Sequence, residues 1–304
     1  MSSHSAAMSL LTKGAATSTL YKTFAIAGVG NVGKFIAEEF LERKAAGDAT
    51  QVVILTRKEA DNSALAELAS RGATIKEVDY DSVDSIAAAL SSIDVVICTF
   101  GYAAVFQPQF NLAAASKKAG AKLYVPSQFG LPGRAGIPSD DDLKTHLNGV
   151  PVSNFLVGTI ADILVKYADY GGLVLEKGEV IIPGDGTARI SFTDRRDVAR
   201  YVGYVLTKLP PSKLRGRDFH IEGQRVALND VIKEYQERSG KTLKVTYIPV
   251  EELQSNIEKN AMDILSVIRL LWASGKGVVG EEKEVDNGLF KEWNPKSVVD
   301  IALS

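Results

Sequence analysis

From Lys22 to Val157, short runs of apolar residues alternate with segments whose apolar positions recur every three to four residues. The run Thr23-Phe-Ala-Ile-Ala27 leads into glycines. A segment follows in which Val32, Phe35, Ile36, Phe40 and Leu41 share one helical face. Gln51-Val-Val-Ile-Leu55 predicts a second strand with no polar alternation, as expected where helices cover both faces of a parallel sheet. The pattern then predicts a helix over 62–71, a strand over 74–78, a helix over 82–91 and a strand over 93–98. A helix over 108–119, a strand over 122–125, a polar helix over 139–148 and a strand over 152–157 complete it. Alternation sustained this long predicts an α/β fold with a doubly wound, Rossmann-like parallel sheet.

Past residue 158 the rhythm loosens. Gly171-Gly172, Pro183-Gly184-Asp185-Gly186 and Pro210-Pro211 mark turns. Helices are expected over 194–207, 227–239 and 250–273, and short strands over 218–222 and 244–248. The expected organisation is a flexible tail (1–21), a dinucleotide-binding domain (22–157) and a smaller C-terminal substrate lobe (158–304) partly interleaved with the sheet. The tail is rich in Ser, Ala and Thr. A transit peptide would carry several arginines, whereas the first arginine here is Arg43.

Composition narrows the function classes. Hydrophobic residues make up 45% and charged residues 24%, as in soluble globular proteins. With 35 Lys plus Arg against 37 Asp plus Glu, the net charge of −2 leaves no footprint for nucleic acid or an anionic membrane. The most apolar stretch, Val95 to Phe106, is too short to span a bilayer. A single cysteine, Cys98, allows no internal disulfide and points to a reducing, cytoplasmic setting. Three scattered histidines offer no metal-ligand spacing, so no metal is expected.

The glycines carry the first chemistry. Gly28-Val-Gly30-Asn-Val-Gly33 is a GxGxxG between a strand and a helix. In that context Gly28 makes the tight turn, Gly30 lets a diphosphate approach the backbone, and Gly33 permits close packing of helix on strand. The helix N-terminus, through residues such as Asn31 and Val32, offers N–H groups to phosphate. After the second strand stands Thr56-Arg57-Lys58, where an acid for a ribose 2′-hydroxyl is usual in NAD enzymes. A guanidinium beside an ammonium suits a 2′-phosphate and so NADP(H). Asp79, Thr99-Phe100-Gly101 and the loop from Pro126 to Gly130 fall at the carboxyl ends of the same strands, along one crevice. Tyr204-Val-Leu-Thr-Lys208 is the chain's one YxxxK, on an apolar-faced helix far from that crevice, and reads as core packing.

Gly28 to Gly33, Arg57-Lys58 and Ala119-Gly-Ala-Lys-Leu-Tyr-Val-Pro-Ser-Gln-Phe-Gly130 together resemble the NmrA-like, isoflavone-reductase-like family of atypical short-chain dehydrogenases. Lys144 before Gly149-Val-Pro-Val152 matches a family lysine, and Asn294 to Asp300 resembles its closing segment. The resemblance implies an NADPH-dependent reductase in which Lys144 is the general acid/base. It implies a cofactor-binding set of Gly28, Gly30, Asn31, Val32, Gly33, Thr56, Arg57, Lys58, Asp79, Thr99, Phe100, Gly101, Ser127, Lys144 and Phe155. Gln128, Phe129 and Gly130 would meet a small-molecule substrate. Two residues depart from the family pattern: Gln128 replaces its Glu, and Asn148 replaces a basic residue. From the residues alone, Lys144 is also a surface ion-pair partner of Asp140, one helical turn earlier. Phe129 and Phe155 are equally pocket walls or core. Some NmrA-like proteins are NADP(H)-sensing regulators that bind a protein partner, which is the alternative function. A homodimer is compatible with either.

Overall fold

The computed structural model describes residues 20–58, 62–133, 138–167, 173–261 and 263–304. Strands and helices alternate in the first half as Thr23–Ala27 (β1), Gly33–Ala45 (α1), Gln51–Thr56 (β2), Asn62–Ser70 (α2), Thr74–Glu77 (β3) and Val83–Ala89 (α3). Val95–Cys98 (β4), Gln107–Ala119 (α4), Leu123–Val125 (β5), Asp140–Leu147 (α5) and Ser153–Leu156 (β6) follow. The sheet order is β3-β2-β1-β4-β5, every pairing parallel. A bridge from Tyr124 to Val152 lays β6 beside β5. The order reverses between β1 and β4, so the loops leaving those two strands diverge and open a crevice.

The remaining elements are Thr159–Ile160 (β7), Ala161–Lys166 (α6), Glu179–Pro183 (β8), Arg189–Thr193 (β9), Arg195–Lys208 (α7) and Arg217–His220 (β10). Gln224–Ala227 (β11), Leu228–Ser239 (α8), Lys244–Ile248 (β12), Val250–Lys259 (α9), Ile264–Ala273 (α10) and Val298–Leu303 (α11) close the chain. Strand β10 pairs with β6 in parallel and so extends the main sheet from the second half of the sequence. Strands β11, β9 and β7 form one small sheet, and β12 with β8 another.

Alternating side chains of the central strands bury opposite faces. Phe24, Ile26, Ile54 and Ile97 meet Ile36 and Phe40 of α1 and Val202 and Val205 of α7. Ala25, Ala27, Leu55, Val96 and Cys98 meet Ile86, Leu112 and Leu143 on the other side. A third cluster, with Ile182, Phe192, Val231 and Trp272, consolidates the second half. Each such aliphatic or aromatic side chain contributes about 1.5–3 kcal/mol by leaving water.

Two expectations need correction. The single helix expected over 250–273 is two helices, because Asp263 accepts from the Ser266 amide (3.1 Å) and hydroxyl (2.7 Å) and caps a new start. Residues 1–19 of the expected tail lie outside the described residues, but Tyr21 is already core, 2% exposed.

Asp94 staples the amino edge of the sheet. Its carboxylate accepts from the amides of Lys22 (2.9 Å) and Thr23 (3.1 Å) and pairs with Lys122 (2.6 Å). Burial alone would push this carboxyl up, but those hydrogen bonds outweigh it and hold it below the usual carboxylate range. Its stabilisation is therefore complete above an ordinary carboxylate pKa of ~3.9 and is lost as pH falls through the lower folded value. Asp94→Ala should cost about 1–3 kcal/mol in urea unfolding at pH 7, since two amides lose their acceptor. The gap between the two proteins should narrow only below about pH 4. A gap that is flat with pH would remove Asp94 from this role.

Candidate active site

The turn between β1 and α1 is built from glycines under different constraints. Gly28 has φ +94°. A Cβ there would stand 3.2 Å from both the Thr99 carbonyl and the Phe100 ring. A Cβ on Gly33 would stand 2.0 Å from the Gly28 carbonyl oxygen and 2.4 Å from the Thr99 hydroxyl. A Cβ on Gly30 meets nothing within 4 Å. Gly28 and Gly33 thus answer to packing, whereas Gly30 does not. Thr99 is buried, and its hydroxyl lies 3.0 Å from the Ala27 carbonyl and 2.6 Å from that of Gly28, tying the end of β4 to the turn. No side chain caps α1, its first turn holds no acid, and Arg43 and Lys44 sit in its last turn. Its positive end is left for an anion.

Arg57 and Lys58 follow β2 directly and are exposed. Neither cationic group has an ion-pair partner among the described residues. Thr56 is buried, its hydroxyl 3.3 Å from the Arg57 carbonyl. One strand further out, exposed Asp79 accepts from the Asp81 amide (3.0 Å) and donates its own amide to Ser85 (3.1 Å), so it shapes the turn before α3. Tyr80 donates to the Leu55 carbonyl (3.1 Å) and meets Phe100 edge-on at 5.0 Å. Gly101, on the rim, is exposed.

Past β5, Ser127 donates its hydroxyl to the Phe100 carbonyl (2.7 Å) and its amide to Gln109 (2.8 Å). Gln128 and Phe129 are half-buried. Phe129 stacks at 6.3 Å on Phe155, which stacks at 5.0 Å on Phe219. Phe155 is fully buried, an inner layer beneath Phe129. The Gly130 carbonyl accepts from the Val157 (3.0 Å) and Gly158 (3.1 Å) amides and holds the end of β6.

Lys144 lies on α5, which opens with a Ser139–Asp142 capping box. Its ammonium pairs with Asp141 at 2.5 Å, and its side chain is 70% exposed. The alternative partner, Asp140, has its side chain outside the described residues. The YxxxK is a packing element: Tyr204 stacks on Phe290 at 4.1 Å and Lys208 pairs with Asp48 at 2.6 Å. Burial pushes the Cys98 thiol up to about 12, so it is no thiolate nucleophile near neutrality. Among the described residues no group of three or more His, Cys, Asp or Glu can hold a metal ion, and no helix is long and apolar enough to cross a membrane.

Sequence reasoning passed over three residues that support this edge. Gln109 is fully buried, accepting from Ser127 and donating to the Val105 carbonyl (2.9 Å). Arg195, paired with Asp162, reaches the Asn31 carbonyl at 3.2 Å. The charged run Asp194-Arg-Arg-Asp197 at the head of a mostly buried helix was the available signal.

The last two glycine positions should separate folding from binding. Gly33→Ala is expected to destabilise by about 1–3 kcal/mol or to prevent folding, because overpacking meets backbone as well as the buried Thr99 hydroxyl. Gly30→Ala should unfold within about 1 kcal/mol of the unmodified protein and lose affinity for a dinucleotide. Equal loss of stability in both variants, measured by denaturant unfolding, would contradict this division.

Residues 22–139 match the NmrA-like family. Over 269 residues the chain is 24% identical to phenylcoumaran benzylic ether reductase POP1 of Populus trichocarpa, covering 82% of this chain and 85% of the relative. It is 26% identical over 278 residues to an isoflavone reductase homolog of Solanum tuberosum, covering 84% and 87%. The fold is similar to that of AtPrR2 solved with NADP+ and (+)pinoresinol, with a TM-score of 0.78 at 20% identity over 92% of this chain and 98% of the other. In sequence and in fold the chain is thus similar to isoflavone-reductase-like proteins, and the part that matches the NmrA-like family is residues 22–139.

Proposed function

We propose that this protein is an NADPH-dependent reductase acting on a small organic substrate, aromatic, phenolic or an unsaturated carbonyl. One observation carries the reading. An uncapped helix start behind a glycine turn lies at the switch point of a parallel sheet, and Arg57 and Lys58 stand exposed at the end of the next strand, without an ion-pair partner among the described residues. Bound NADPH supplies the hydride. Backbone from Gly28 to Gly33 takes the diphosphate, Arg57 and Lys58 the 2′-phosphate, and Thr56 and Asp79 border the adenosine. Thr99, Phe100 and Gly101 back the ribose and diphosphate. Ser127, Lys144 and Phe155 belong to the nicotinamide end, Phe155 as the layer under Phe129. Gln128, Phe129 and Gly130 meet the substrate beneath a lobe supplied by residues 158–304, and Lys144 supplies the proton. The named reductases among the relatives and the neighbour holding NADP+ and (+)pinoresinol support this assignment.

The cofactor assignment predicts that NADPH binds at least about tenfold more tightly than NADH, since a charge-assisted bidentate contact contributes about 1.5–3 kcal/mol. Arg57→Ala should erase most of that difference in a titration with both cofactors. Equal affinities in the unmodified protein would sink the 2′-phosphate assignment.

The reaction predicts NADPH oxidation with at least one member of a panel of phenolic, enone and quinone substrates. Lys144→Ala should then lower turnover by about 10²–10⁴ while NADPH affinity stays within a few-fold. Lys144→Arg should rescue poorly, because a guanidinium keeps its proton near neutrality. Activity retained by Lys144→Ala would leave the lysine as partner of Asp141 alone. Tight NADPH binding with no turnover, and a protein partner captured, would favour an NADP(H)-sensing regulator.

A further inference from the structure

Arg195 opens α7, yet its side chain ends at the glycine turn 164 residues earlier in the sequence. Its side chain is 11% exposed and that of Asp162 is 9% exposed. The Arg195 amide donates to Asp162 Oδ1 (3.3 Å) and its Nε to Oδ2 (2.6 Å), which locks the plane of the guanidinium. That plane lies 4.9 Å over the Phe35 ring of α1 and 5.8 Å from the Tyr167 ring. With Nη1 it donates to the carbonyl of Asn31 at 3.2 Å.

Two features set this contact apart from ordinary packing. First, a cation at the first position of α7 and beside the start of α1 opposes both helix dipoles, a placement that costs stability unless something offsets it. Asp162 does so here, although a buried ion pair is itself weak ground for stability. Second, the carbonyl it holds belongs to a critical peptide. The flanking carbonyls of Gly30 and Val32 accept from Lys34 (3.2 Å) and Ile36 (3.1 Å) and so run down the helix on either side of it. A trans, planar peptide carries its C=O and N–H in opposite directions, and the described residues contain no cis bond. Holding the Asn31 oxygen therefore points the Val32 N–H out of the helix N-terminus.

We propose that Arg195 is a positioning residue for the dinucleotide: locked by Asp162, it holds the Asn31–Val32 peptide so that the Val32 amide is aimed at the diphosphate. The inference rests on the dinucleotide reading above. It makes the C-terminal half of the chain a determinant of the phosphate turn.

The test compares two ligands by titration, NADPH and adenosine 2′-monophosphate, which carries the 2′-phosphate and no diphosphate. Arg195→Lys keeps a charge opposite Asp162 but cannot bond Asp162 and Asn31 together. It should weaken NADPH by about tenfold, the worth of one well-aimed charge-assisted hydrogen bond. Affinity for adenosine 2′-monophosphate should stay within twofold, which a general loss of fold would not allow. Asp162→Asn, which unlocks the guanidinium, should give the same selective loss and carries the test if Arg195→Lys does not fold. Unchanged NADPH affinity in these variants, or equal weakening of both ligands, overturns the proposal while leaving the dinucleotide reading intact. Failure of the unmodified protein to bind NADPH overturns both.

Discussion

The carbonyl of Gly28 and the first residue of α1 are so close that a single added carbon on residue 33 would collide with it at 2.0 Å. Much else follows from that approach. It lets α1 lie flat on β1 and β2, so that Ile36 and Phe40 reach Phe24, Ile26 and Ile54. It also brings the start of the helix to the edge where all the parallel strands end. Thr99 can then span the Ala27 and Gly28 carbonyls from β4, so the turn is held from the neighbouring strand as well as from its own.

A parallel sheet with both faces covered leaves only its two edges for chemistry, and its strands deliver every loop of one kind to the same edge. Here that edge collects the glycine turn, the Arg57–Lys58 pair, the Phe100–Ser127 contact and the half-buried Phe129. Their electrostatics agree. The positive end of α1 and the exposed Arg57 and Lys58 lie at this one edge, while Asp79 is occupied in its own turn. The opposite edge is closed by Asp94, which satisfies amides at the start of β1 and holds Lys122 before β5.

The second half is more than a cover. Strand β10 joins the main sheet beside β6, α7 packs on α1 in the first core, and Arg195 reaches into the turn. On the proposed reading, affinity for a dinucleotide and the docking of the C-terminal half are coupled through one buried ion pair. A motif match without that context misleads: Tyr204 and Lys208 have the spacing of a proton-donating pair, yet the helix commits them to Phe290 and Asp48.

The strand–helix rhythm to residue 157, the glycine turn and the basic pair after β2 were all legible in the sequence, because each is a local rule. Uninterrupted apolar runs demand burial on both faces, φ > 0 demands glycine, and the cations follow their strand directly. Strands β8, β9 and β11 were not legible. Segments such as Arg189-Ile-Ser-Phe-Thr193 and Gln224-Arg-Val-Ala227 are short and mixed in polarity, and pairing with distant partners makes them strands. Phe129 and Phe155 read alike along the chain. Only the stacking of Phe155 on Phe219 put one in the core and left the other half-exposed. Gln109 gave no local sign of its role, and the charged run around Arg195 did not name its partner, since the partners lie in the loop after β5 and in the turn after β1. Such roles depend on which backbone carbonyl or amide a side chain meets across the fold, and no periodicity encodes that.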